Sequence, residues 1–208
     1  MKTILCYGDS NTYGEIPGGG RYPYNVRWTG VLQKTLGSDY LVIEEGCSGR
    51  TTVWDDPIEE DKNGKSYLPA CLWSHRPIDL ITIMLGTNDL KHRFSLTAYD
   101  IAEGASVLIK MVQQGEYGPD GVKTKILLIS PPPIMEVDRF VDMFSGGREK
   151  SLKLAKEFKR VADEFCVEFL DTAPYLSVSQ RDGIHYEAQS HEKFGKILAE
   201  TVLRILQQ

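Results

Sequence analysis

Residues Ile4-Leu5-Cys6-Tyr7-Gly8-Asp9-Ser10-Asn11 run an apolar stretch straight into a Gly-Asp-Ser-Asn tetrad. A buried strand that stops at a glycine and then presents a serine places a hydroxyl at a sheet edge. That edge is where open α/β sheets carry out their chemistry. The serine gains chemical meaning only if a base, an orienting acid and an oxyanion site lie elsewhere in the chain.

Four more apolar runs follow the first one, Ile4–Tyr7: Tyr40–Ile43, Leu80–Leu85, Ile126–Ile129 and Val167–Leu170. All five are rich in Ile, Val and Leu without strict alternation, which predicts strands buried on both faces. Helical periodicity fills the intervals. Residues 97–113 open with the capping-box pattern Thr97-x-x-Asp100 and carry Ile101, Ala105, Leu108 and Val112 on one stripe. Residues 148–165 offer Leu152, Ala155, Phe158, Ala162 and Phe165, and residues 187–206 offer Phe194, Leu198, Thr201, Val202 and Ile205. A shorter helix over Trp28–Leu36 stops at Gly37.

This alternation predicts an α/β fold, a parallel sheet with helices on both faces. Five strands suit the flavodoxin-like order 2-1-3-4-5. With 208 residues, no internal repeat and no linker, the expectation is one domain over 1–208. Two stretches read as irregular. Trp54–Trp73 carries an acidic run, Asp55, Asp56, Glu59, Glu60 and Asp61, of the kind usually found on a solvated face. Pro131–Gly147 begins with three prolines.

Composition narrows the function classes. A net charge of −5 argues against nucleic acid or anionic membrane as the main partner. Cys6, Cys47, Cys71 and Cys166 form no C-x-x-C pair, so neither zinc nor thiol–disulfide chemistry is indicated. Cys6 and Cys166 read as small core residues. No secretory leader and no apolar run of membrane-spanning length is visible, and the expectation is a reduced, cytoplasmic protein.

Four positions carry chemistry together. Ser10 opens a turn or helix after the first strand; alone, Asp9-Ser10-Asn11 is equally a helix cap. His185 lies in Asp182-Gly183-Ile184-His185, where an aspartate three residues back can curl onto Nδ1 and leave Nε2 to accept a serine proton. Asp171, at the end of the fifth strand, competes with Asp182 for that role. Asn88, in Gly86-Thr87-Asn88-Asp89 after the third strand, can donate a side-chain amide to a developing oxyanion. Gly49, beyond the second strand, allows its backbone N–H to approach a ligand closely. Each alone has a bland reading as a cap or turn. Together they mark the ends of neighbouring strands at one sheet edge, which separate turns would not explain.

These blocks resemble the SGNH hydrolases, also called GDSL esterases and lipases. Gly8-Asp9-Ser10-Asn11 is similar to the family's first block, Gly49 to the second, Gly86-Thr87-Asn88-Asp89 to the third and Asp182-Gly183-Ile184-His185 to the last. Arg27-Trp28-Thr29-Gly30-Val31-Leu32, Ile43-Glu44-Glu45-Gly46 and Tyr67-Leu68-Pro69 resemble the bacterial arylesterase and acyltransferase branch, as does Ser130-Pro131-Pro132-Pro133. The departure is Asn11, where the first block usually has leucine.

The resemblance implies a three-layer α/β/α fold and hydrolysis of ester or thioester bonds without a metal or cofactor, and the expectation for this chain is a serine esterase acting on short-chain or aryl carboxylic esters. On this mapping Ser10 is the nucleophile, His185 the base and Asp182 its orienting acid. Ser10 N–H, Gly49 N–H and the Asn88 side chain receive the oxyanion. The implied partners are a small-molecule ester and an alcohol acceptor. The branch further implies acyl transfer to alcohols and assembly into a homo-oligomer, an octamer. A carbohydrate O-deacetylase using the same groups is the alternative, and a non-catalytic flavodoxin-like module a more distant one. Loop position nominates Trp54, Phe94 and the 134–144 segment, with Ile134, Met135, Phe140 and Phe144, as pocket walls.

Other motifs fail on a required residue. Gly64-Lys65-Ser66 has Glu59 where a phosphate loop needs glycine. Gly46-Cys47-Ser48 has Arg50 where a nucleophile elbow needs glycine. Gly18-Gly19-Gly20 follows no strand, which a dinucleotide fingerprint requires.

Overall fold

The structure, a computed structural model, describes residues 1–137 and 140–207. Its sheet is built from β1 (Lys2–Gly8), β2 (Tyr40–Gly46), β3 (Leu80–Met84), β4 (Lys125–Ser130) and β5 (Glu168–Asp171). All pairs are parallel, in the order β2-β1-β3-β4-β5. The helices are α1 (Ser10–Tyr13), α2 (Trp28–Leu36), α3 (Gly64–His75), α4 (Ala98–Gln114), α5 (Gly147–Glu164) and α6 (Ala188–Gln207).

Side chains along β1 point alternately to the two faces, as strand geometry requires. Ile4 and Cys6 enter one core with Trp28, Leu32, Phe194 and Leu198 from α2 and α6. Leu5 and Tyr7 enter the other with Leu68, Ile101, Leu108 and Phe158 from α3, α4 and α5. The result is the expected three-layer α/β/α arrangement. Truncating a fully buried leucine such as Leu108 to alanine costs about 2–5 kcal/mol.

The expectation of strands buried on both faces holds for β1, β3 and β4 but not for the edges. Every residue of β5, and all of β2 except Val42, keeps some exposure, because an edge strand lacks a neighbour on one side.

The Thr97–Asp100 box forms in both directions at the start of α4. Thr97 N–H donates to Asp100 Oδ2 at 2.8 Å and Asp100 N–H to Thr97 Oγ1 at 3.2 Å. In α5 the buried stripe is Leu154, Phe158, Val161 and Ala162, while Leu152 is exposed. Six residues before Phe158 is about one and two-thirds turns, which faces Leu152 away from the core.

The stretch 54–73 is not wholly irregular, since α3 occupies its second half. Pro69 inside the helix disguised it, because proline removes an N–H and normally ends a helix. Here the ring faces solvent while Leu68, Cys71 and Leu72 are buried. Asn63 caps the helix by accepting from Ser66 N–H at 3.3 Å. Cys166 is a second correction: it is exposed, at φ +53°, in the turn that follows α5. Among the described residues no helix is long and apolar enough to cross a membrane.

Candidate active site

Strand register sets the site. Gly8 of β1 is level with Gly46 of β2 and with Met84 of β3. The chain therefore leaves three adjacent strands at one height, and Ser10, Gly49 and Asn88 follow on the next few residues. Glycine is required here because α1 crosses directly over the strand ends. A Cβ on Gly46 would sit 2.0 Å from Tyr13 N.

Arg50 and Asp89 stitch these loops together. A guanidinium N–H of Arg50 donates to the Gly8 carbonyl at 2.9 Å, and the Arg50 carbonyl accepts from Asn88 Nδ2 at 3.1 Å. Asp89 accepts from Thr52 N–H at 3.0 Å. Both acids near Ser10 are buried. Burial pushes the carboxyl groups of Asp9 and Asp89 up to about 6. Asp9 caps α1 by accepting from Asn11 N–H at 3.0 Å.

Ser10 and His185 meet across 175 positions of sequence, with Oγ 3.0 Å from Nε2. The other ring nitrogen, Nδ1, lies 2.8 Å from Asp182 Oδ2. A carboxylate at Nδ1 keeps the proton there and leaves Nε2 as an acceptor facing the serine hydroxyl. The acid is itself held by backbone donors. Ile184 and His185 N–H reach Oδ1 at 3.1 and 3.0 Å, and Gly18 N–H reaches Oδ2 at 3.2 Å. Burial alone would raise Asp182, but the His185 ring and the His185 and Ile184 amides hold it well below the usual carboxylate range. Gly183, at φ +74°, makes the tight turn between Asp182 and His185; a Cβ there would sit 2.0 Å from the Met135 carbonyl oxygen. Asp171 accepts from Ala173 N–H at 3.0 Å.

Ser10, Gly49, Asn88 and His185 line one cavity of about 280 Å³. One wall is apolar, formed by Phe140, Met143, Phe144 and Ile184. The other is polar, formed by Glu15, Ser48, Glu59, Lys62 and Lys91. Of the residues nominated as pocket walls, Phe140 and Phe144 lie here, and the Phe140 ring meets His185 edge-on at 6.2 Å. Trp54, Phe94, Ile134 and Met135 are not among the described residues lining the cavity. Ile134 is buried in the α3–α5 core, and Met135 packs against the α2–α6 core while its N–H holds the Gly183 carbonyl at 2.9 Å. Positions 138 and 139 of the 134–144 segment lie outside the described residues.

The polar wall was not legible in the sequence. Lys91 is 2% exposed, with Nζ 2.9 Å from Glu59 and 3.2 Å from Asp56. Arg93 reaches Asp56 at 2.8 Å. Burial opposes charge on Asp56, yet the Ile58 and Glu59 amides with Arg93 and Lys91 hold it down at about 2. The acidic run is thus no uniformly solvated face: Asp56 is buried and Glu59 faces the cavity. Its basic partners lie more than thirty positions on, beyond any local pattern.

One further cluster, at the end of β2, brings Glu45, Cys71 and His75 close enough to share an ion. There His75 Nε2 already pairs with Glu45 at 2.7 Å. The Arg50 guanidinium also adds positive charge nearby, where it works to lower the Cys71 thiol that burial pushes up to about 12.

Residues 6–193 match the GDSL-like lipase/acylhydrolase family. No curated protein matches the chain. Among solved structures, the chain is similar to an aryl esterase of M. smegmatis at 43% identity. That match covers 98% of this chain and 99% of the other, with a TM-score of 0.92. A carbohydrate acetylesterase from Sinorhizobium meliloti is 42% identical over 99% of this chain and 100% of its own, at a TM-score of 0.94. A lipase/acylhydrolase from Enterococcus faecalis shares the fold at 18% identity, covering 97% and 95% of the two chains with a TM-score of 0.70.

Proposed function

The chain belongs to the GDSL-like lipase/acylhydrolase family and is a carboxylic ester hydrolase, and from that premise we propose that it is a serine esterase acting on short-chain or aryl esters through an acyl-enzyme on Ser10. The observation that carries this reading is the unbroken line Asp182–His185–Ser10, at 2.8 and 3.0 Å, opening into the cavity shared with Gly49 and Asn88. The catalytic unit is one hydrolase domain spanning 1–208.

Ser10 Oγ attacks the acyl carbonyl as its proton passes to His185 Nε2. Asp182, ionised and fully bonded, stabilises the imidazolium without taking its proton. The carbonyl oxygen becomes an oxyanion facing the N–H groups of Ser10 and Gly49 and the Asn88 amide. Asn88 uses one amide hydrogen on the Arg50 carbonyl, which fixes the group and leaves its second hydrogen for substrate. His185 then protonates the leaving alcohol. Water repeats the sequence in reverse and releases the acid.

The apolar wall of Phe140, Met143 and Phe144 suits a small acyl group or an aryl ring. It also shields the acyl-enzyme from water, so we include acyl transfer to alcohols. Excess benzyl alcohol with vinyl acetate should give benzyl acetate; free acid alone rejects the transfer. The same reading places the protein in the cytoplasm as a homo-oligomer, an octamer by resemblance. A fluorophosphonate that labels wild type at Ser10 but not S10A tests the nucleophile.

The polar wall of Glu15, Ser48, Glu59, Lys62 and Lys91 favours a second reading, removal of acetyl groups from a hydroxyl-rich alcohol such as a sugar. Comparing kcat/KM for an acetylated sugar and a nitrophenyl acetate separates the two.

A further inference from the structure

Asn11 follows the proposed nucleophile, and the ester chemistry above leaves it without a task. It is 2% exposed. Its carboxamide reaches across to the loop that carries His185. Nδ2 donates to the Ile184 carbonyl at 3.1 Å, and Oδ1 accepts from Tyr186 N–H at 3.0 Å. These are the two residues on either side of His185. The Asn11 main chain is also held at both ends: its N–H donates to Asp9 Oδ1 at 3.0 Å, and its carbonyl accepts from Trp28 Nε1 at 3.0 Å.

We infer that Asn11 is a positioning residue whose single side chain fixes the His185 backbone, and so the imidazole, relative to Ser10. The inference rests on His185 acting as the base for Ser10. The nucleophile is covalently bonded to Asn11, so two hydrogen bonds join it to both neighbours of the base. The His185 loop has bonds of its own, from Ser179 N–H to the His185 carbonyl at 2.7 Å and from Gly183 N–H to the Ser179 carbonyl at 2.9 Å. Those bonds shape the loop without tying it to α1. A leucine at this position would fill the space but leave the Ile184 carbonyl and Tyr186 N–H buried without this partner, an arrangement folded proteins avoid. Asparagine matches one acceptor and one donor with its own donor and acceptor.

The role makes a claim that simple packing does not. If Asn11 acts through His185, its removal should slow the chemical step and leave substrate binding alone. Misplacing a reacting group by about 1 Å costs on the order of 10²-fold in rate. We expect N11A to lose about that factor in kcat with KM unchanged and the thermal transition still cooperative. In an H185A background, where the base is gone, N11A should not reduce the residual rate further, because residues acting as one unit are non-additive. If N11A fails to fold, N11D keeps the acceptor for Tyr186 N–H, loses the donor to Ile184 and carries the same test. Wild-type kcat in the folded variant overturns the inference, as does an equal loss in the presence and absence of His185. Wild-type kcat in H185A itself would instead reject the underlying assignment of the base.

Discussion

Glu15 Oε2 lies 3.7 Å from His185 Nε2, the same ring nitrogen that faces Ser10. Ser48 Oγ donates to that carboxylate at 2.7 Å and holds it at the cavity mouth. A second carboxylate, besides that of Asp182, thus stands beside the ring on the side that faces Ser10. The carboxylate is partly open to water, which weakens the effect.

E15Q is expected to lower kcat/KM on neutral esters by about tenfold or less, as one screened charge of about 1 kcal/mol allows. It should also raise the relative rate on esters whose alcohol carries a negative charge. Steady-state comparison of a neutral and an anionic ester reads both effects. An unchanged ratio between the two esters would reject Glu15 as a selectivity element.

N88A is expected to reduce kcat by about 10²–10³-fold with little change in KM, the signature of a donor that acts on the oxyanion. A rise in KM at constant kcat would assign Asn88 to ground-state binding instead.

K91M should destabilise the protein by about 1.5–3 kcal/mol, because it takes a charged hydrogen-bond partner from the buried Asp56, which keeps Arg93 and two loop amides. For a chain of this length that is a fall of about 3–12 °C in the thermal midpoint. A fall of a degree or two would mean that Arg93 and the loop amides balance Asp56 without Lys91.

Acyl-chain preference should respond to Phe144 and not to Met135. F144A enlarges the cavity on its apolar side and should favour hexanoate over acetate, at a stability cost of about 3 kcal/mol. M135A alters a residue outside the cavity and should leave the preference as it is. Equal shifts in both variants would place the selectivity elsewhere.

His191 gives the fold a titration of its own. It is fully buried on α6 and accepts from Trp28 N–H through Nδ1 at 3.2 Å. Burial, reinforced by the charge of Arg27 and by His185, lowers it from 6.5 to about 4. Between those values the unfolded chain binds the extra proton, so this contribution is intact above about pH 6.5 and is lost as pH falls to 4. The full swing is about 3 kcal/mol. H191N keeps an acceptor for Trp28 and removes the titration. Urea midpoints of wild type and H191N at pH 7.5 and 4.5 should therefore diverge in acid. A constant gap at both values would sink the assignment.

The fold was legible because its signals are local. Each predicted strand became one of β1 to β5, and the Thr97–Asp100 box caps α4 as written. The residues brought together at the cavity were legible because each follows a strand end or a tight Asp-Gly turn. What escaped depends on distant partners. Lys91 and Asp56 are unremarkable until the fold buries them together, and Asn11 has no local pattern that points to Ile184 and Tyr186. Helix α3 escaped because Pro69 overrides local propensity, while the burial of Leu68 and Leu72 restores it.

The 175 positions between Ser10 and His185 also order events during synthesis. At about 5–20 residues per second, His185 leaves the ribosome roughly 10–35 s after Ser10. Throughout that interval the nascent chain carries Ser10 without the imidazole that faces it in the folded chain. On the proposed mechanism a chain arrested before His185 therefore forms no acyl-enzyme, and esterase activity in a translation reaction reports chains carried past His185 rather than total polypeptide.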